Sequence, residues 1–105
     1  MNPLALTDRD QALINAYSTC QLEMTPQQFY AKWNISQEVM AAICSRSLST
    51  VQRWFRQGRS YRQPTATDLR HLALMDFLLE YFEDLPSNMR LYLCPEIASN
   101  FASEA

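Results

Sequence analysis

Apolar residues recur along this chain at intervals of three and four, in blocks separated by short polar breaks that carry helix-start residues. That spacing puts side chains on one face of a helix. Thr7 is placed to cap a first helix, with Asp10 at the capping-box offset, and Leu13, Ala16, Tyr17 and Cys20 supply its apolar face. Thr25 as N-cap, Pro26 at the first helical position and Gln28 three residues on start a second helix. Phe29, Tyr30 and Trp33 form its apolar face, and Asn34 ends it. Ser36 opens a third helix with Val39, Met40 and Ile43 facing inward. After a polar turn, Ser45-Arg46-Ser47, the residues Leu48, Val51, Trp54 and Phe55 repeat at helical spacing. Gly58 stops this fourth helix as a left-handed C′ residue. Residues 59–65 read as a linker. Thr65 and Asp68 restart the pattern with the same capping box, and a helix over 66–85 is ended by Pro86. Met89 to Cys94 adds one or two helical turns, and 96–105 is a frayed tail. Val and Ile are few and no two-residue alternation occurs, so strands are not predicted. The pattern therefore predicts an all-α chain: a compact bundle of about five helices forming a single domain over 1–95, with the helix pair 36–58 at its centre.

Composition narrows the chemistry. The chain has 105 residues, 48% hydrophobic and 19% charged, as a folded domain does. Its single glycine excludes a P-loop, a dinucleotide fingerprint and a nucleophile elbow, each of which needs at least two. Cys20, Cys44 and Cys94 are odd in number and widely spaced, with no Cys/His pairing, so they predict neither a disulfide framework nor a zinc site. They read as small buried apolar residues of a reduced protein. The segment MNPLALTDRD has no basic region before a long apolar one, so no secretory leader is expected. The most apolar stretch, Leu72 to Phe82, is interrupted by Asp76 and Glu80 and is too short to span a bilayer. A cytoplasmic location follows. His71 has no second histidine nearby, and Glu80 with Asp84 reads as a solvated face before an acid–base pair. No enzyme activity, cofactor, metal or small-molecule ligand is expected.

Charge distribution changes the picture more than the net charge of −2 does. Between Val39 and Thr67 lie five arginines, Arg46, Arg53, Arg56, Arg59 and Arg62, and no acid. Between Asp68 and Asp84 lie five acids against Arg70. Lys32 is the only lysine, and arginine is the residue suited to bidentate phosphate and base contacts.

The segment Ser36 to Gly58, SQEVMAAICSRSLSTVQRWFRQG, resembles the helix-turn-helix of small bacterial DNA-binding proteins. Gln37 opens it, Ala41 lets the two helices approach closely, Ser45 lies in the turn, and Val51 and Trp54 take the buried positions of the second helix. The phrase SLSTVQRWF matches recognition helices of this group. Two residues depart from the pattern. Ser45 replaces the usual glycine and must accept a positive φ, or the turn takes another shape. Arg46 stands where an apolar residue normally follows, leaving Leu48 to take the inward role. The resemblance implies duplex DNA as partner, read in the major groove by the second helix, and a role as a small transcription regulator. Gln52 and Arg53 are the candidates for base edges. Ser47, Ser49, Thr50 and Arg56 are the candidates for phosphates, and Leu48, if not buried, for a thymine methyl. Arg46, Arg59, Tyr61 and Arg62 extend the basic surface into the turn and the following loop, which could lie on the backbone or reach a minor groove. Four arginine–phosphate contacts would give a salt slope of roughly −3.6 per protomer.

Two other readings stand beside this one. The pair could be an ordinary helical hairpin with solvated arginines, and the chain a protein-interaction module using it as scaffold. The helix over 66–85 bears on that alternative. Its acids, Asp76, Glu80, Glu83 and Asp84, share one arc, and apolar residues spread over roughly 200° of the rest. A surface helix needs about half as much. Leu74, Phe77, Leu78 and Tyr81 thus predict a dimer or docking face, unless Leu13, Tyr17, Leu91 and Leu93 cover it within the chain.

Overall fold

Five hydroxyl side chains begin five helices. Thr7, Thr25, Ser36, Ser47 and Thr65 each hold extended backbone and accept a hydrogen bond from the N–H three residues on. At Thr7/Asp10, Thr25/Gln28 and Thr65/Asp68 the third residue reaches back to the cap N–H, which completes the capping box. Each such cap is worth about 1 kcal/mol. The computed structural model describes residues 5–90 together with Leu93 and Glu96. Among them it holds α1 (Asp8–Thr19), α2 (Pro26–Trp33), α3 (Gln37–Cys44), α4 (Leu48–Trp54), α5 (Ala66–Tyr81) and α6 (Ser87–Arg90). Single 3₁₀ turns occur at Gly58–Ser60 and Phe82–Asp84, and no strand is present among the described residues. Over the described residues the chain is all-helical, as predicted.

The core is built by four helices. Phe29 of α2, Met40, Ala41 and Cys44 of α3, Val51 and Trp54 of α4 and Leu72 of α5 form one buried cluster. Met24, Trp33, Ile35, Ile43, Phe55 and Met75 pack around it. Truncating Phe29 or Trp54 to alanine would cost about 3–5 kcal/mol by the usual cavity rule. Polar ties add to the packing. The N–H of Met24 donates to the Leu69 carbonyl at 3.1 Å, and the Gln27 amide donates to the Trp54 carbonyl at 3.0 Å. Asp76 accepts from Lys32 at 2.8 Å and from the Trp33 indole at 3.0 Å, which fastens α2 to α5. Asp76 is therefore a bonded group and not part of a solvated arc. Its carboxyl is held below its ordinary value chiefly by the Lys32 ammonium.

Several local expectations need correction. A compact chain of this length has a radius of gyration of about 13 Å, whereas this one has 17.0 Å and is more extended than the expected bundle. One reason is α1, which buries none of its residues; Leu13, Ala16, Tyr17 and Cys20 are exposed. Cys44 alone of the two described cysteines is buried. Tyr30, Val39 and Leu48 also lie outward, while Phe29, Met40 and Val51 take the core side of their helices. The fourth helix ends at Trp54, not near Gly58. Phe55 and Arg56 close onto the carbonyls three residues back, and Gly58, with φ 68°, starts the 3₁₀ turn. The fifth helix ends at Tyr81, not Leu85. Leu85, placed before a proline, must be extended, and Phe82–Asp84 tighten to reach it. Arg90 finishes this end. It donates to the Leu85 and Glu83 carbonyls and lies 4.6 Å from the Phe82 ring. The expected tail over 96–105, Glu96 apart, and Leu91 and Cys94 lie outside the described residues.

Candidate nucleic-acid interface

The turn between α3 and α4 is built by two backbone bonds. The N–H of Ser45 donates to Ala42 O at 3.4 Å, and that of Arg46 to Ala41 O at 3.0 Å. This is the double closure of a Schellman end, with Ser45 in the left-handed conformation at φ 54°. The positive φ expected of Ser45 is therefore present.

Arg46, next in the chain, leaves the basic set. Its Nε donates to Asp68 Oδ1 at 2.8 Å and its Nη2 to Oδ2 at 3.3 Å. The carboxylate also accepts from the Thr65 N–H and hydroxyl, each at 2.9 Å. Asp68 is 2% exposed. Burial pushes its carboxyl up, but the Arg46 and Thr65 bonds outweigh this and hold it below the ordinary value. Arg46 thus spends its charge inside the fold, locking the turn to the first turn of α5. It also fills the inward role assigned to Leu48, which lies 36% exposed. Beside this pair, Cys44 points its thiol at the Asp68 carbonyl, 3.8 Å away. Burial, and then the Asp68 charge, push that thiol up to about 11, so it is inert at neutral pH.

The hydroxyls at the start of α4 are turned on one another. Ser47 Oγ caps Thr50 N–H at 3.2 Å and lies 3.1 Å from Ser49 Oγ and 2.9 Å from Thr50 Oγ1. Their first task is the helix start. At the other end, two of the arginines are drawn together. Arg53 Nε donates to the Ser60 carbonyl at 3.1 Å, and the Arg62 N–H donates to the Arg53 carbonyl at 3.1 Å. These two bonds fold the loop back and set Arg62 beside Arg53, with Tyr61 between Ser60 and Arg62 at 45% exposure. Arg53, Arg56, Arg59 and Arg62 are all exposed, and none forms a salt bridge among the described residues. Gln52 is half-buried. Gln57 and Gln63 are exposed in the same loop and add amides that the sequence reading did not single out.

The outer residues of α5 are also where the wheel puts them. Leu74, Phe77 and Tyr81 are 45%, 56% and 47% exposed, and Leu78 is half-buried. His71 is exposed. Among the described residues no cluster of three His, Cys, Asp or Glu side chains is placed to hold a metal, and no helix is long and apolar enough to cross a membrane. No family model, curated protein or solved structure matches the chain.

Proposed function

We propose that this chain binds double-stranded DNA through a helix-turn-helix made of α3 and α4, and acts as a small transcription regulator. The observation that carries the reading is the group Arg53, Arg56, Arg59 and Arg62: exposed, without salt-bridge partners among the described residues, and without an acid in the surrounding stretch except the one Arg46 neutralises. Ser49 and Arg53 lie four apart on the side of α4 away from Val51 and Trp54, and Arg56 follows in the turn just past the helix end. Seven residues of helix are about 10 Å long, which matches about three base pairs at ~3.4 Å each. Gln52 and Arg53 then read base edges, while Arg56, Arg59 and Arg62 hold phosphates. Arg46 contributes indirectly, by holding the turn. Tyr61 lies against the sugar–phosphate backbone.

The test is selection of bound duplexes from a randomised pool, followed by anisotropy at two salt concentrations. A recovered motif should lose about five- to a hundredfold in affinity with Arg53→Ala. Three arginine–phosphate contacts give a slope of log affinity against log salt of roughly −2.7, and Arg62→Ala should reduce it by about one. No enrichment, with no binding at low salt, sinks the DNA reading. The second reading, a protein-interaction module, is favoured by one specific observation: Arg46 is paired with Asp68 and so serves the scaffold.

A further inference from the structure

The strongest unexplained feature is that α5 is apolar on two opposite sides. Its inner side, centred on Leu72, enters the core. At 100° per residue, Arg70, Leu74, Phe77, Leu78 and Tyr81 fall within about 100° of arc on the opposite side. Arg70, Leu74, Phe77 and Tyr81 are spaced four, three and four apart, the repeat of a helix–helix seam. The Phe77 and Tyr81 rings already touch, with centroids 5.1 Å apart. At the start of this strip Tyr17 of α1 stacks on Arg70, 4.8 Å from guanidinium to ring, and its hydroxyl accepts from Arg70 at 3.3 Å. Yet α1 does not cover the strip: Leu13, Ile14 and Tyr17 are themselves 58%, 45% and 48% exposed.

We propose that a second copy of this chain covers the strip, with the two α5 helices antiparallel about a two-fold axis near Phe77 and Leu78. This inference stands independently of the DNA reading. Area and charge choose the occupant. Tyr17, Phe77 and Tyr81, about half exposed, present on the order of 300 Å² of ring surface. With Leu13, Ile14 and Leu74 the exposed apolar surface comes to roughly 600 Å², the upper end of what a monomer shows, against the ~800 Å² per partner of a standard interface. Antiparallel pairing about this centre sets Leu74 opposite Tyr81 of the second copy and brings the basic start of the strip, Arg70, toward Asp84 in the 3₁₀ turn after its α5. Each pair then occurs twice, as an isologous interface requires. Parallel pairing would face Arg70 with Arg70 and Asp84 with Asp84, like charges in both cases. Tyr17 of each α1, stacked on Arg70, lies at the end of the seam.

Sedimentation of the full chain across a concentration series tests this. The parent should pass from monomer to dimer at or below about 10 μM, and Phe77→Asp should weaken the dimer about a hundredfold while circular dichroism stays helical. Arg70→Glu should also weaken it, and adding Asp84→Arg should restore it. A monomer at every concentration overturns the proposal. So does a dimer indifferent to Phe77→Asp, or one that the double charge reversal fails to restore.

Discussion

Replacing Asp68 by asparagine keeps the shape of the side chain and removes its charge. The carboxylate accepts four hydrogen bonds, two of them from Arg46, and is 2% exposed. Breaking a fully buried ion pair costs about 3–5 kcal/mol. The Arg46 side chain is 33% exposed, so its orphaned charge is partly rehydrated and the cost falls to about 2 kcal/mol. For a domain of this size that lowers Tm by about 10 °C. Urea and thermal melts of Asp68→Asn, Arg46→Ala and the double variant measure it, and the double variant should be less damaged than the sum by about 1 kcal/mol. The pH dependence has a definite sign. The folded carboxyl lies below its unfolded value, so its stabilisation is present above the unfolded value and is lost as pH falls through the folded one, below about 4. The gap between parent and Asp68→Asn should therefore close in acid. A loss under about 0.5 kcal/mol at neutral pH, additive single variants, or a gap that persists in acid would refute the reasoning.

Ser45→Gly removes a Cβ from a left-handed position and should stabilise the chain by about 1 kcal/mol in the same melts; a loss of stability would show that the serine does more than tolerate φ 54°. Cys20 is exposed and Cys44 buried with its thiol near 11, so alkylation of the native protein at mildly alkaline pH should mark Cys20 at least about a hundredfold faster, as read by peptide mass spectrometry. Comparable rates would mean that α3 opens readily. Asp76→Ala takes the acceptor from Lys32 and the Trp33 indole, and should cost about 1–2 kcal/mol in a urea melt; no measurable loss would assign the α2–α5 contact to packing alone.

Local signals carried the helix starts. A hydroxyl, a proline or an acid at a fixed offset acts within four residues, and Thr7, Thr25 and Thr65 each cap as their neighbours dictate. The inner positions Phe29, Val51 and Trp54 followed from period alone, because a helix has one face to bury. Helix ends were less legible. Nothing near Trp54 announces a stop, yet α4 ends there, with Phe55 and Arg56 closing three residues back and the Arg62 N–H returning to the Arg53 carbonyl. Pairings distant in the chain were invisible: Arg46 meets Asp68 across 22 residues, and Trp33 meets Asp76 across 43. Arg46 consequently read as a surface cation like its neighbours. The apolar face of α1 was legible as a pattern, but a pattern names no partner, and within the chain this face stays open.

The Arg46–Asp68 pair has a mechanical consequence. Asp68 lies in the first turn of α5, and its carboxylate grips the residue that joins α3 to α4. Rolling or sliding α5 by the width of a hydrogen bond must either move that joint or break both Arg46–Asp68 bonds. The outer strip of α5 and the arginines after α4 therefore sit on one lever, with Arg46 as the pin.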